Sequence, residues 1–340
     1  MIKLIVHSFN LKLTHPFTIS RGTRTMIPNI IVELQYDGKS GFGEATENKY
    51  YGASVKSFKT AIEKHRTLIE EINIKTKPKN FWNRIAPLFK NNTFLLCAID
   101  EAYQDLYTQN LGVKLYEYWN FKIESIPMTS YTIGIDKVSK MLAKIKEKPW
   151  PIYKIKLGSK NDVQIIQALR KETQSIFRVD ANGGWTVEET LKNAIEMKRL
   201  GVEFIEQPLP ASDWKAAKQV FQKSVLPIIA DESCEKEDDI DKCYGYFHGV
   251  NVKLMKCGGL TPAKKMLEKA KLLGLKTMVG CMTESSIGIS AIAHLLPLLD
   301  YVDMDGALLL SNNPATGIAI EKGIIDFSDK KGIGGSLIHQ

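Results

Sequence analysis

From Pro127 onward the chain repeats one pattern: a short apolar run, a polar or glycine-rich loop, then an amphipathic helix. The runs read MTSYTIGI, IYKIKLG, IFRVDANGG, VEFIEQPL, VLPIIADES, VNVKLMKCGG, LKTMVGCMTES and YVDMDGALL, eight in all. Eight strands alternating with helices predict a parallel sheet closed on itself, a (β/α)7β8 TIM-like barrel with right-handed crossovers. The segment assigned to it, 126–313, is compact for a fold that normally takes about 200 residues or more.

The residues ahead of the barrel read differently. Residues 29–47, NIIVELQYDGKSGFGEATE, alternate apolar and polar positions on either side of an Asp37-Gly38 turn, which predicts an antiparallel hairpin. From Val55 to about Asn110 the apolar positions recur every three and four residues, as helices require. Residues 1–125 are therefore expected to form an α+β domain. The tail, 314–340, has no helical run of useful length and is expected to return to that domain and complete it.

The barrel narrows the chemistry, because in this fold the functional groups sit at the C-terminal ends of the strands. The second run carries Lys154 and Lys156, which alternation places on one face. The third, fourth and fifth deliver Asp180, Glu206 and Asp231 to neighbouring points on the rim, and the sixth carries Asn251 and Lys253. Three bare carboxylates that close would repel strongly. A hard divalent cation with oxygen ligands resolves the repulsion, and Mg²⁺ fits because it keeps positions open for water or a substrate carboxylate. A single such acid would read as a cap on the following helix. Three on consecutive strands read as a metal site.

Lysines on the second and sixth strands lie on opposite sides of an eight-stranded ring. That arrangement suits removal of a proton beside a carboxylate on one face and its return on the other, with the enediolate charge stabilised by Mg²⁺ and ammonium groups. One lysine must be neutral to act as base. The positive charge of Lys154, the metal and partial burial are expected to lower the pKa of Lys156.

Composition serves mainly to exclude. With 44% hydrophobic and 25% charged residues the chain is of the soluble globular type. Its net charge of +8 is spread over scattered lysines, with no basic run interleaved with aromatics, which argues against nucleic acid as partner. Five cysteines without CxxC pairing or zinc spacing read as reduced thiols, hence a cytoplasmic protein. No run is apolar and long enough to span a membrane, and the N-terminus alternates like a strand and reads as no signal peptide.

The joint pattern KIK, DAN, EQP, ADES and NVKLMKCGG, with the GFGEA hairpin at Gly41–Ala45, resembles the enolase superfamily and its muconate-lactonising subgroup over nearly the whole chain. The resemblance implies a barrel with an N-terminal α+β capping domain and Mg²⁺ held by Asp180, Glu206 and Asp231. It further implies acid/base work by Lys156 and Lys253, with Lys154 in support. Lys256, three residues past Lys253, is the less favoured candidate for that work because it lies past the strand end.

Within the subgroup, Asp303-Met-Asp305 on the eighth strand is similar to the DxD of the dipeptide epimerases, which implies a site for the α-ammonium of a dipeptide. Two carboxylates there would repel the succinyl group of the alternatives, o-succinylbenzoate synthase and N-succinylamino acid racemase. Thr132 and Cys281 match family positions that line the substrate pocket. Side-chain preference is expected from the loops 17–25 and 47–54, where Arg21 and Arg24 would suit an acidic residue and Tyr50 and Tyr51 an apolar one. Ala-Glu, D-Ala-D-Ala and larger hydrophobic dipeptides all remain open, as does assembly into a homo-oligomer.

Overall fold

A computed structural model describes residues 1–338; the last two residues of the tail assigned above lie outside the described residues. The chain opens with a three-stranded antiparallel sheet, β1 (Lys3–Ile19), β2 (Gly22–Tyr36) and β3 (Lys39–Thr46), ordered as in the sequence. The stretch 17–25, expected as a loop, is the tip of the long β1–β2 hairpin. Helices α1 (Val55–Glu70) and α3 (Thr93–Leu111) pack against this sheet, with α2 (Pro78–Ile85) against α3, followed by the single turn α4 (Leu115–Tyr118).

Helix α3 is buried along almost its whole length, from Phe94 to Thr108, because it separates the sheet from the rest of the molecule. The GFGEA motif explains how closely β3 approaches it. A Cβ on Gly41 or Gly43 would run into the α3 backbone at Ala102 or Ala98, so only glycine permits the contact.

Eight parallel strands follow: β4 (Tyr131–Ile133), β5 (Ile152–Lys156), β6 (Ile176–Asp180), β7 (Val202–Glu206), β8 (Ile228–Ala230), β9 (Gly249–Val252), β10 (Lys276–Gly280) and β11 (Tyr301–Asp303). They neighbour one another in sequence order, and a parallel bridge between Thr129 and Val302 brings the first and last together. The crossovers are α5 (Val138–Glu147), α6 (Asp162–Arg170), α7 (Val187–Arg199), α8 (Trp214–Lys223), α9 (Glu237–Cys243), the pair α10 (Leu254–Cys257) and α11 (Leu260–Leu272), and α12 (Ser286–Ala293). This is the eight-stranded barrel that the recurring pattern predicts.

Strand pairing stacks the inward side chains in layers. Lys154 lies beside Arg178, and one layer higher Lys156 lies beside Asp180, which lies beside Glu206. Beneath the polar layers, Phe204, Ile229 and Met278 fill the barrel with Tyr301 against them, and the Arg178 guanidinium rests over the Phe204 and Tyr301 rings. The mouth is thus polar on an apolar plug.

In the tail, β12 (Ala315–Thr316) pairs with β15 (Ser336–Leu337), enclosing the β13–β14 hairpin (Ala319–Glu321 and Ile324–Asp326). Residues 332–333 dock beside α3: Ile333 N donates to Asp105 and Leu115 N to Gly332 O. No helix among the described residues is long and apolar enough to cross a membrane.

Candidate active site

Asp180, Glu206 and Asp231 are fully buried at the mouth of the barrel, where one oxygen of each lies within 4.8 Å of the others. Every carboxylate is gripped from outside by one oxygen and turns the other toward a lysine. Asp180 Oδ1 accepts from the backbone N–H of Asn182 at 2.9 Å, while Oδ2 lies 2.6 Å from Lys156 Nζ. Glu206 Oε1 accepts from Asn251 Nδ2 at 2.8 Å, and Gly280 leaves the space that the Asn251 amide fills. Glu206 Oε2 lies 2.8 Å from Lys154 Nζ, an ion pair too oblique for a hydrogen bond, so this buried oxygen accepts none. Asp231 Oδ1 accepts from Lys256 Nζ at 2.7 Å, and Oδ2 lies 2.9 Å from Lys253 Nζ.

Backbone strain marks the same rim. Asn182 and Gln207, each just past a carboxylate-bearing strand, sit at φ 44° and 34°, a region that costs a non-glycine residue about 1–3 kcal/mol. Hydrogen bonding holds them there. The Gln207 side chain donates to Leu209 O and Ser233 Oγ and accepts from the backbone N–H groups of Asp231 and Ser233, tying the end of β7 to the end of β8.

Three hard oxygen donors from consecutive strands, one of them lacking a hydrogen bond, fit a small divalent cation such as Mg²⁺. Burial alone would push all three carboxyls up. For Asp180 the adjacent Lys156 and Lys154 ammonium groups overcome burial and hold it down at about 2. Glu206, buried beside the Asp180 charge, is pushed up to about 7.

Lys154 and Lys253 are both held above the ordinary lysine range. Burial lowers Lys154 and Lys253, but Asp303, Glu206 and Asp180 around the first, and Asp231 beside the second, more than reverse it. Lys154 is a bridge between two acid groups: Nζ lies 2.8 Å from Asp303 Oδ2, 2.8 Å from Glu206 Oε2 and 3.3 Å from Asp180 Oδ2.

Asp303 and Asp305 are both buried at the end of β11. Asp303 Oδ1 accepts from Ser130 Oγ at 3.1 Å, a residue that precedes β4 and so carries no strand-end signal in the sequence. Asp305 accepts from the backbone N–H of Thr132 at 2.6 Å and from its hydroxyl at 3.2 Å. Burial and the neighbouring Asp303 push Asp305 up to about 8, whereas Asp303, with Lys154 against it, stays low.

A cavity of about 720 Å³ opens above these groups, and Thr132, Lys154, Lys156, Lys253, Cys281, Asp303 and Asp305 all line it. Its far wall comes from the N-terminal sheet, with Arg21 and Arg24 at the hairpin tip and Tyr50 and Tyr51 beside them. The two arginines part company here. Arg21 donates to Glu232 Oε1 at 2.8 Å and stacks on Tyr50 at 4.4 Å, so it is committed within the protein. Arg24 makes no ion pair among the described residues. Lys256, the less favoured acid/base candidate, joins the carboxylate network in another way, because α10 turns the chain back under Asp231 just past the strand.

Comparison with known proteins agrees with this geometry. Residues 137–339 match the family described as Enolase C-terminal domain-like. An L-Ala-D/L-amino acid epimerase of Flavobacterium johnsoniae is 58% identical over 337 residues, covering 99% of this chain and 100% of that one. The substrate-liganded L-Ala-D/L-Glu epimerase of Bacillus subtilis superposes with a TM-score of 0.93 at 28% identity, covering 98% of each chain. A dipeptide epimerase of Methylococcus capsulatus, complexed with Mg and the dipeptide L-Arg-D-Lys, gives 0.91 at 30% identity over 98% of this chain and 99% of that one. A barrel with this acid and lysine set, matched over its full length, belongs to the enolase superfamily and within it to the dipeptide epimerases.

Proposed function

We propose that this chain is a Mg²⁺-dependent dipeptide epimerase that inverts the α-carbon of the C-terminal residue by moving a proton between two lysines. The observation that carries the reading is the placement of Lys156 on β5 and Lys253 at the end of β9, four strands apart, facing one cavity that also holds the Asp303/Asp305 pair. A dipeptide has a carboxylate at one end and an ammonium at the other. The mouth offers a cation site for the first and buried carboxylates for the second.

Bound at Asp180, Glu206 and Asp231, Mg²⁺ would supply positive charge to the substrate carboxylate and to the enediolate that develops from it. The lysine on one face, as the neutral amine, takes the α-proton; the ammonium on the other face gives one back to the same carbon. Whichever lysine begins neutral ends charged, so the pair runs the reaction in either direction. Asp305 anchors the substrate ammonium, and Thr132 fixes the Asp305 carboxylate. Asp303 holds Lys154 at the carboxylate end. A succinylated substrate would bring a carboxylate against this acid pair, which disfavours the succinyl alternatives.

We further assign residues 1–125 with the tail from 314 as the cap that closes the cavity, and 126–313 as the barrel that carries the chemistry. Arg24 is the uncommitted cation that an acidic side chain would meet, and Cys281 lines the wall opposite the cap. Five free thiols support a reducing, cytoplasmic setting.

Solvent deuterium incorporation, followed by mass spectrometry over a pooled dipeptide library with Mg²⁺, tests the assignment. A gain of about one mass unit is expected in a small set of dipeptides, abolished by Lys156→Ala and by Lys253→Ala. No exchange into any dipeptide would overturn it.

A further inference from the structure

The segment Lys253-Leu-Met-Lys256 brings two ammonium groups to one carboxylate. Lys253 caps the single turn α10, and residues three apart on a helical turn share a face, so both reach Asp231, one on each oxygen. Their surroundings differ. Lys253 lines the cavity, whereas the Lys256 side chain is 1% exposed and lies behind Asp231. Lys256 Nζ spends all three of its protons within the protein, on Asp231 Oδ1 at 2.7 Å, Asp231 O at 2.5 Å and Cys234 O at 3.0 Å. No proton is left for a substrate.

The other two carboxylates of the triad are gripped from outside by neutral donors, the Asn182 backbone and the Asn251 amide. Only Asp231 is gripped by a charge. We propose that Lys256 is a positioning residue that fixes the Asp231 carboxylate and the turn 231–234, so that Oδ2 alone faces the cation site and Lys253. The inference rests on the Mg²⁺ reading above.

Charge and positioning predict opposite signs when Lys256 is removed. A cation beside a metal site repels the metal, so on charge alone Lys256→Met would tighten Mg²⁺ binding. Positioning predicts the reverse. Without Lys256, Asp231 Oδ1 and the carbonyls of Asp231 and Cys234 lose buried donors and the turn must rearrange to find others. Loss of such an outer partner typically weakens a metal about 10- to 100-fold.

The measurement is calorimetric titration of wild type, Lys256→Met and the milder Lys256→Gln with MgCl₂, without dipeptide, at a temperature where circular dichroism shows each folded. Weakening of about 10-fold or more in Lys256→Met, with Lys256→Gln between it and wild type, supports the proposal. Wild-type or tighter affinity in the folded Lys256→Met protein overturns it; if that variant does not fold, wild-type affinity in Lys256→Gln does so. Failure of wild type itself to bind Mg²⁺ would instead sink the metal site on which the proposal rests.

Discussion

Two groups of acids are buried in this molecule, and their partners differ. At the barrel mouth, Asp180, Glu206 and Asp231 each face a lysine ammonium within 3 Å. At the joint between the N-terminal sheet, α3 and the loop after β10, Glu44, Glu101 and Glu284 meet no cation among the described residues. Glu44 accepts from Asn29, from the Ser285 backbone and hydroxyl, and from Gly288 N. Glu101 accepts from Glu44 N and Cys97, and Glu284 from Met282 N. Burial pushes all three upward, Glu101 to about 8. Ammonium groups face the acids at the mouth; at the joint neutral donors face Glu44 and Glu284, and Glu101 is pushed up to about 8. Under the proposed function the mouth exchanges its ammonium contacts for a metal and a substrate, whereas the joint has nothing to exchange.

The largest effect is expected from giving the mouth the character of the joint. Lys154→Met removes the ammonium that contacts Asp180, Glu206 and Asp303 together. Breaking a buried ion pair from one side costs roughly 3–5 kcal/mol, to be read in urea unfolding. On the mechanism proposed above, turnover is expected to fall about 1000-fold or more, since the charge opposite the developing enediolate goes with it. Wild-type kcat/KM in this variant would break the comparison.

Glu101→Gln sharpens the comparison from the other side. A carboxyl raised to about 8 in the folded protein binds a proton there that the unfolded chain releases near its ordinary value of 4.5. Its contribution to stability is therefore complete below about pH 4.5 and is lost as pH rises through 8. The glutamine keeps an acceptor for Glu44 N and does not titrate. Thermal unfolding between pH 5 and 8 should fall less steeply in the variant, by on the order of 2 kcal/mol, with Glu44 and Glu284 competing for the same proton. Identical slopes would remove Glu101 from the account.

The smallest effect is expected where neither device operates. Arg24 stands exposed at the hairpin tip, so Arg24→Met should lower kcat/KM for acidic dipeptides relative to neutral ones by a factor equivalent to about 1 kcal/mol and leave unfolding unchanged. An equal loss for both kinds of dipeptide would place Arg24 outside substrate recognition.

What the sequence discloses follows the same division. Lys154, Lys156, Asp180, Glu206 and Asp303 were legible because alternation along a strand fixes the face and the barrel fixes the end. Lys256 was not, because its position depends on a one-turn helix that starts at the last strand residue and reverses the direction extrapolated from β9. Arg21 and Arg24 are indistinguishable as sequence. The ion pair that separates them joins residues 211 positions apart, across two layers of the fold. The acids of the joint escape the sequence for a related reason: Glu44 lies on β3, Glu101 on α3 and Glu284 after β10, and only packing brings them together.

The β1–β2 hairpin reaches from the N-terminal sheet to the barrel mouth, and between Leu11 and Ile27 none of its residues is buried. At its tip Phe17, Ile19, Arg21, Thr23 and Arg24 face the cavity while none of them is buried. Apart from Arg21, whose pairing with the buried Glu232 ties the tip to the barrel, residues 17–25 can change at little cost to folding, so under the proposed function a lineage could alter which peptides it accepts by drift at positions such as Arg24.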